Sequence, residues 1–396
     1  MNAEPPKHVA KQAAASGTVS RDPEVMQGGT APTVLLFRPD SRLPGGVANY
    51  FSVVLERFGP GVTIDSFLIG RRPGFLGTKL LYPLQFFFDC LRLALLLARR
   101  RFDIIHLNPS LNLPAFMRDL CFMVVISAFS RAQLLIFFRG WEEDFYRSLS
   151  SNRVSRFLLR WFCRQGDRIL VLGSSIRDDL INLGIDAERI EITHTTFDGS
   201  LLRTVPPEAK KAGPFTFLFM SRFIKQKGIA ELLEASRILK DRKVEFRLVL
   251  AGSGPFEATA HKIIDTLDLR DTVETPGYLK GGAKGETLVA ADAFVFPTYH
   301  GEGCPNCLLE AMGASMPVIS TRVGGIPDIV NPPAGGILLD STEPEAIADA
   351  MEMLVGDREY CARVGEDNYK VAWSRYEAGA VAKYLETLYL AMARRD

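Results

Sequence analysis

The sequence has no long apolar run. The longest ones, such as residues 93–98 and 120–126, fall well short of the roughly 20 apolar residues that a membrane-spanning helix requires. The first 24 residues are small and polar, so we expect no secretory signal. These absences predict a cytoplasmic protein, either free or attached to the inner face of the membrane.

A large excess of charge and a cysteine framework are also missing. The 47 basic and 46 acidic residues leave a net charge of +1, so we expect no nucleic-acid partner. Six cysteines are scattered through 396 residues, which favours a reducing compartment. The length suits about two globular domains, and an apolar fraction of 47% is enough to fill their cores.

Short apolar runs alternate with helix-like segments in two series. The runs lie at residues 33–37, 103–107, 134–138 and 168–172, and then at 215–220, 247–251, 293–297 and 317–321. Such alternation is typical of parallel sheets covered by helices on both faces. We predict two α/β domains, at residues 31–205 and 206–375, after a disordered tail at residues 1–30. The last helix, within residues 376–396, is expected to stay on the second domain or to cross back to the first.

The most informative segment covers residues 294–330. A strand that ends at Pro297 leads through a loop into a helix that begins near Asn306. Helix N-termini favour anionic or hydroxyl-rich ligands, because their first amides are unpaired. Glu302 in the loop and Glu310 in the helix supply carboxylates, which suit sugar hydroxyls. The alternative is that both glutamates lie on the surface and bind nothing.

Two cations follow the strand at residues 215–220. Arg222 stands at the carboxyl end of this strand, where α/β folds bind ligands, and Lys227 follows just before an amphipathic helix. Two cations that converge there would hold a diphosphate and stabilise the charge on a leaving one. The alternative is a solvated basic loop.

Glycine and cysteine pairs give weaker signals. Gly45 and Gly46 follow the first strand and would let the backbone approach a phosphate, or they form an ordinary turn. The pair Gly252 and Gly254 lacks the third glycine of a dinucleotide fingerprint, because position 257 is Glu257. Cys304 and Cys307 have no second Cys/His pair at a suitable spacing, so we predict no metal site.

Three segments, in this order, resemble those of a known family. They read SRFIKQKGIAELLEA (residues 221–235), LVLAGSGP (248–255) and PTYHGEGCPNCLLEAMGASMPVISTRVGGIPDIV (297–330). Together they resemble the retaining glycosyltransferases of family 4, and the resemblance extends over about residues 34–376. It implies the GT-B fold, in which two Rossmann-like domains face each other across a cleft that holds the donor.

The resemblance implies a role for each candidate residue. Arg222 and Lys227 hold the donor diphosphate, Glu310 accepts the ribose hydroxyls, and Glu302 lies against the donor sugar. The remaining donor-binding positions are the glycines that close on the phosphates, the pair that holds the base, and the backbone amides at the helix mouth: Gly45, Gly46, Tyr278, Leu279, Asn306, Cys307 and Leu308.

One position departs from the family's pattern. Many members carry a histidine before a glycine near the donor sugar, whereas this chain has Arg139. Arginine stays charged and cannot act as a general base, so the expected role is to bind a phosphate or an acidic sugar. The alternative is a structural ion pair with Glu142 or Glu143.

The function implied by the resemblance is the transfer of a hexosyl unit from a UDP- or GDP-sugar, with retention of configuration. The acceptor is expected to be a glycan or a lipid-linked sugar in polysaccharide or glycolipid biosynthesis. No metal or cofactor is expected, because Arg222 and Lys227 supply positive charge and the nucleotide sugar is a substrate. The alternative is a non-catalytic nucleotide-sugar-binding protein, which the presence of Glu302 disfavours.

Two basic, apolar segments point to an anionic membrane surface as a further partner. Residues 79–101 and 153–164 both interleave arginines with large apolar residues. The alternative is that both are core helices of the first domain with charged outer faces.

Overall fold

Two parallel sheets of six strands each form the framework of the protein. They are seen in a computed structural model that describes residues 31–42, 45–70, 82–202, 213–331 and 335–394. The predicted tail at residues 1–30 and the predicted domain boundary near residue 205 lie outside the described residues.

The N-terminal half of the chain forms the first of these sheets and a small two-stranded one. Its strands are β1 (Thr33–Arg38), β2 (Thr63–Leu68), β3 (Ile104–Leu107), β4 (Ser110–Leu111), β5 (Gln133–Phe137), β6 (Gly140–Trp141), β7 (Arg168–Val171) and β8 (Ile190–Ile192). The larger sheet has the order β2-β1-β3-β5-β7-β8, and β4 pairs with β6. The helices of this half are α1 (Gly46–Val54), α2 (Tyr82–Arg99), α3 (Leu113–Phe129), α4 (Glu143–Ser151), α5 (Arg153–Arg164) and α6 (Ser174–Asn182).

The C-terminal half forms the second sheet. Its strands are β9 (Phe215–Met220), β10 (Phe246–Ala251), β11 (Val273–Gly277), β12 (Ala293–Phe296), β13 (Val318–Thr321) and β14 (Gly336–Leu339), in the order β11-β10-β9-β12-β13-β14. The helices are α7 (Ile229–Asp241), α8 (Glu257–Thr266), α9 (Gly281–Ala290), α10 (Asn306–Gly313), α11 (Ile326–Ile329), α12 (Pro344–Gly356), α13 (Arg358–Val371) and α14 (Ala378–Ala393).

Local sequence explains where several helices begin. The Asn112 side chain accepts a hydrogen bond from the Ala115 amide at 3.1 Å, and α3 starts at the next residue with a proline in its first turn. Asn152 caps α5 in the same way, through the Val154 amide at 2.9 Å. None of the described helices is long and apolar enough to cross a membrane.

The strand order locates a ligand crevice in each sheet. In the first sheet the chain reverses its direction of growth between β1 and β3, and in the second sheet between β9 and β12. Open parallel sheets bind ligands outside the carboxyl ends of the strands at such a reversal. In the second sheet this point lies between the loop that carries Arg222 and the loop that carries Glu302.

The last helix crosses back to the first half of the chain. The Tyr389 hydroxyl of α14 lies 2.6 Å from Nδ1 of the buried His106 in β3, and its ring stacks on Phe58 with the ring centres 6.1 Å apart. The Tyr384 hydroxyl donates to Oε1 of Glu191 in β8 at 2.7 Å. Of the two predicted positions for this helix, the return to the first half is therefore the one found.

Candidate functional site

The loop after β9 carries the two predicted diphosphate-binding cations. Arg222 is exposed just beyond the strand, and Lys227 ends the short 3₁₀ turn Lys225–Lys227. Gly228 follows with a left-handed backbone (φ 77°), and a Cβ atom there would come within 2.1 Å of the Pro297 carbonyl oxygen. Only glycine allows this approach, so the loop is pressed against the end of β12.

Lys227 and Glu302 form an ion pair through the Nζ and Oε1 atoms. Both side chains are largely buried, with 12% and 14% of their surface exposed. The Lys227 ammonium also lies 5.3 Å from the centre of the Phe296 ring. The family resemblance implies that Lys227 and Glu302 contact different parts of a ligand, whereas the structure places the two side chains in direct contact. An anion that binds Lys227 must therefore share the ammonium with the Glu302 carboxylate.

The N-terminus of α10 lies four residues beyond this carboxylate. The amides of Asn306 and Cys307 have no backbone acceptor among the described residues, as expected for the first turn of a helix. The Leu308 amide, by contrast, donates to the Pro305 carbonyl oxygen at 3.1 Å. Of the three amides predicted to bind a ligand, the Leu308 amide is thus already used, and its side chain is buried in the core.

A cavity of about 320 Å³ brings the other predicted residues of the second half together. Its lining includes Arg222, Tyr278, Leu279 and Glu310, which come from three loops or helices at the carboxyl edge of the sheet. Tyr278 is 67% exposed, so its ring face is open to a planar ligand. The cavity therefore combines a cation, an aromatic ring and a carboxylate in one place.

Lys284 is a member of this cavity that sequence reasoning missed. It lies in α9 and donates from Nζ to Oε1 of Glu310 at 2.5 Å, with 23% and 16% of the two side chains exposed. Burial raises the pKa of Glu310, and the nearby Lys284 ammonium opposes this rise. Lys284 is part of a second lysine–glutamate pair, next to the pair of Lys227 and Glu302.

The two cysteines of the C-x-x-C segment are structural. Burial raises the pKa of the Cys304 thiol, which accepts from the Thr195 amide at 3.4 Å. Burial also raises the pKa of Cys307, which lies within electrostatic range of both lysine–glutamate pairs. Protonated thiols are neither nucleophiles nor metal ligands. Among the residues that the structure describes, no group of three or more His, Cys, Asp or Glu side chains is arranged to hold a metal ion.

Arg139 lies between aromatic rings rather than in an ion pair. Its guanidinium carbon is 3.8 Å from the centre of the Tyr50 ring and 4.3 Å from that of Phe137, and burial lowers its pKa. No ion pair joins it to Glu142 or Glu143 within the described part of the chain, so that alternative was wrong. Its Nε and Nη1 atoms are buried and have no hydrogen-bond partner among the described residues.

The predicted glycine pair opens α1 at the first sheet. Gly45 precedes the helix, and no described atom lies within 4 Å of the place that a Cβ atom would take at Gly45 or Gly46. The backbone there faces open space, as expected of a loop that a ligand approaches. Neither glycine lines the cavity of Arg222 and Glu310.

The first and second halves of the chain touch close to these loops. The Ser174 amide at the start of α6 donates to Oδ2 of Asp328 at 2.7 Å. The Thr195 hydroxyl donates to the Cys304 carbonyl oxygen at 3.1 Å. The contact of Thr195 with Cys304 therefore holds the loop that carries Glu302 against the first half of the chain.

Profiles of two families match consecutive parts of the chain. The profile described as Glycosyltransferase Family 4 matches residues 44–200, and that described as Glycosyl transferases group 1 matches residues 203–371. The chain belongs to glycosyltransferase family 4. The resemblance of the sequence to family 4 is thereby confirmed.

Several curated relatives of this family 4 chain are named for bacterial polysaccharide biosynthesis. The putative colanic acid biosynthesis glycosyltransferase WcaL of Escherichia coli K12 is 31% identical over 193 residues, which cover 48% of this chain and 47% of WcaL. The amylovoran biosynthesis glycosyltransferase AmsK of Erwinia amylovora is 29% identical over 189 residues, 46% of each chain. The matches thus span about half the length of these relatives.

Solved structures of the GT-B type share the fold of this family 4 chain. HepE of Anabaena, in complex with UDP, aligns with a TM-score of 0.68 at 16% identity, over 91% of this chain and 100% of HepE. Sucrose-phosphate synthase of Thermosynechococcus elongatus aligns with a TM-score of 0.69 at 18% identity, over 91% and 99% of the two chains. The predicted fold of two Rossmann-like sheets is confirmed.

Proposed function

We propose that this protein transfers a hexosyl unit, with retention of configuration, from a UDP- or GDP-sugar to a glycan or a lipid-linked sugar. The observation that carries the proposal is the cavity that joins Arg222, Tyr278 and Glu310. A cation suits a diphosphate, an aromatic ring suits a base, and a carboxylate suits ribose hydroxyls. The pair of Lys227 and Glu302 lies at the same edge of the sheet, where the sugar would sit.

The proposed chemistry depends on charge stabilisation rather than on a strong base. Arg222 and Lys227 hold the diphosphate and stabilise the negative charge that grows on it as the sugar leaves. The leaving diphosphate accepts the proton of the acceptor hydroxyl, which attacks from the same face. Glu302 is held by Lys227 and orients the donor sugar, and the Asn306 and Cys307 amides add donors at the helix mouth. No metal or cofactor is included, because these groups supply the positive charge.

Arg139 gives this site a fixed positive charge where many family members have a histidine. Arg139 and Cys304 lie within electrostatic range of each other, and Cys304 is two residues from Glu302. Two nitrogen atoms of Arg139, Nε and Nη1, are buried and have no hydrogen-bond partner among the described residues. An acidic group on the donor, on the sugar or the phosphate, would compensate for this unpaired charge.

The proposed acceptor side is the apolar–basic face, formed by the outer surfaces of α2, α3 and α5. The helices are adjacent: α2 contacts α3, and the Phe116 ring of α3 lies 6.0 Å from the Phe162 ring of α5. A groove of about 660 Å³ runs along α2, lined by Phe88, Leu91 and Leu95 and by arginines. Apolar side chains beside arginines suit a lipid-linked acceptor at an anionic membrane on the cytoplasmic side.

The names of the relatives support a role in polysaccharide biosynthesis. WcaL and AmsK are named for the biosynthesis of colanic acid and amylovoran, and HepE has been crystallised with UDP and with UDP-glucose. These names belong to those proteins. They favour polysaccharide assembly and a nucleotide-sugar donor as the first substrates to test here.

Nucleotide binding in the presence of a chelator tests the proposal. UDP or GDP at 100 times its Kd should stabilise the protein by about 2.7 kcal/mol, seen as a rise in Tm, whereas ADP and NAD should have little effect. Slow hydrolysis or transfer of a UDP- or GDP-hexose should follow, with the anomeric configuration read by NMR. Stabilisation by NAD alone would contradict the proposal, and binding without any turnover would favour the non-catalytic alternative.

A further inference from the structure

The contact between Lys284 and Glu310 is fixed by the packing of two helices. Gly285 in α9 packs directly against the backbone of Leu201, because a Cβ atom at Gly285 would lie only 2.0 Å from the Leu201 carbonyl oxygen. This tight seat holds the preceding residue, Lys284, at the wall of the cavity. Its ammonium then reaches Oε1 of Glu310 in α10 at 2.5 Å.

Burial and the neighbouring charges shift the pKa of Glu310 in opposite directions. Lys284 and Arg222 face Glu310 from other elements of the cavity, and the Cys307 thiol lies on its own helix. Asp198, just before the 3₁₀ turn Gly199–Leu201, raises the pKa of Glu310. Burial is the largest influence and raises the pKa of Glu310, while Lys284 is the main one that lowers it. Removal of Lys284 would thus leave a largely buried carboxyl that is protonated more readily.

We infer that Lys284 is a positioning residue for the ribose of the donor nucleotide. Its ammonium holds Oε1 of Glu310 in place and leaves Oε2, which has no hydrogen-bond partner among the described residues, free to accept from a ribose hydroxyl. A carboxylate has about four lone-pair sites, so Oε1 also keeps acceptor capacity while it is bonded to Lys284. The inference rests on the proposed function, because it assumes that a nucleotide occupies this cavity.

A second lysine in the same cavity separates this role from a general effect of positive charge. Lys280 also lines the cavity, but its ammonium lies 5.2 Å from the Tyr278 ring centre and makes no contact with Glu310. If Lys284 only added positive charge for a diphosphate, the two lysines would act alike. If it only tethered α9 to α10, the ribose hydroxyls of a ligand would be irrelevant to its effect.

The experiment measures how Lys284 and the ribose hydroxyls depend on each other. We would titrate UDP, or GDP if that is the nucleotide bound, and its 2′,3′-dideoxy analogue into the unmodified protein and into the Lys284→Met, Lys284→Gln and Lys280→Met variants. In the unmodified protein, loss of the hydroxyls should weaken binding about tenfold, the usual effect of losing a hydrogen bond to a charged group. Lys284→Met should bind the complete nucleotide about tenfold more weakly than the unmodified protein does. Its affinities for the nucleotide and for the dideoxy analogue should differ only about twofold.

The pH dependence gives an independent reading. Between pH 7.5 and 6, binding to Lys284→Met should weaken more than binding to the unmodified protein or to Lys280→Met, because a protonated Glu310 loses acceptor capacity. Lys284→Gln keeps a hydrogen-bond donor without the charge, and it should show the same stronger pH dependence. It carries the test if Lys284→Met fails to fold.

Two results would overturn the inference. The first is an unchanged ratio of affinities for the nucleotide and its dideoxy analogue in both Lys284 variants, which would reduce Lys284 to a tether between two helices. The second is an effect of Lys280→Met equal to that of Lys284→Met. Absence of nucleoside diphosphate binding by the unmodified protein is a different outcome, because it would contradict the proposed function itself.

Discussion

The two halves of the chain differ in what they expose. Thirteen large apolar side chains are exposed among the described residues, and ten of these lie on α2, α3 and α5 of the first half. The second half exposes three, Tyr278, Tyr299 and Met353, and places two lysine–glutamate pairs at the edge of its sheet. Similar sheets thus carry different surfaces, and this difference fits a lipid-linked acceptor on the first half and a charged donor on the second.

The largest expected effect comes from disrupting a lysine–glutamate pair of the second half. Lys227→Ala removes a cation and leaves the Glu302 carboxylate largely buried and unpaired. We expect kcat/KM for the nucleotide sugar to fall about 10²–10³-fold, as when one group that stabilises a leaving charge is removed. The measurement is the initial rate of donor turnover at several donor concentrations.

Lys225 provides the matched control for this prediction. It lies on the same 3₁₀ turn and is exposed, so Lys225→Ala should change kcat/KM by no more than about twofold. Equal losses in the two variants would mean that the general charge of the loop matters, and the specific role of Lys227 would have to be abandoned.

The next largest effect is expected from charge reversal on the apolar–basic face of the first half. Arg153, Arg156 and Arg164 are exposed on α5, whereas Arg160 lies against Gly184 and is left unchanged. Reversal of the three exposed charges to glutamate should weaken binding to vesicles rich in phosphatidylglycerol about 100-fold, at about 1 kcal/mol for each arginine removed. Sedimentation with the vesicles at low salt measures the effect.

Three reversals on the second half serve as the control. Arg247, Arg270 and Arg322 are exposed and pair only with exposed acidic side chains. Their change to glutamate alters the net charge by the same amount and should leave vesicle binding nearly intact. If the unmodified protein does not sediment with the vesicles at all, the apolar–basic face is not a membrane-binding surface.

The smallest effect concerns the stability of the first half. Burial, with a contribution from Arg139, lowers the pKa of His106 to about 3. In the unfolded protein the pKa of His106 returns to about 6.5. Above pH 6.5 His106 is therefore neutral in both states and stability is at its full value. As the pH falls below 6.5, the unfolded state binds a proton that the folded state does not, so the free energy of unfolding decreases. The loss amounts to about 2 kcal/mol between pH 6.5 and 5.

Urea denaturation at pH 7 and at pH 5 measures this contribution. His106→Asn should lose less stability between the two pH values than the unmodified protein does. His194 has a pKa of about 4, lowered mainly by burial, and it remains in both proteins as an internal reference. Identical pH slopes would show that His106 does not titrate on unfolding.

The sequence predicted the central strands to within about a residue and missed most of the edges. Central parallel strands are buried on both faces, so they are read as continuous apolar runs. β2, with the sequence TIDSFL, and β8, with IEI, are edge strands that include exposed or half-exposed residues. β14, with the sequence GILL, is the third edge strand that was missed.

Site residues next to the end of a strand could be predicted from the sequence, whereas contacts between residues far apart in the chain could not. Arg222 and Glu302 could be singled out in the sequence because each follows the end of a predicted strand. Lys284 was missed because it meets Glu310 only through the packing of two helices, 26 residues apart in the chain. The neighbours of Arg139 were predicted wrongly for the same reason, since Tyr50 comes from a distant helix and not from the acidic residues next in sequence.

The returning C-terminal helix has a consequence for biosynthesis. His106 and Tyr389 are separated by 283 positions, so their hydrogen bond cannot form until residue 389 has emerged from the ribosome. While the second half is translated, the surface of the first half that α14 covers in the finished protein stays exposed. Termination of translation before α14 would therefore destabilise the half of the chain that was synthesised first.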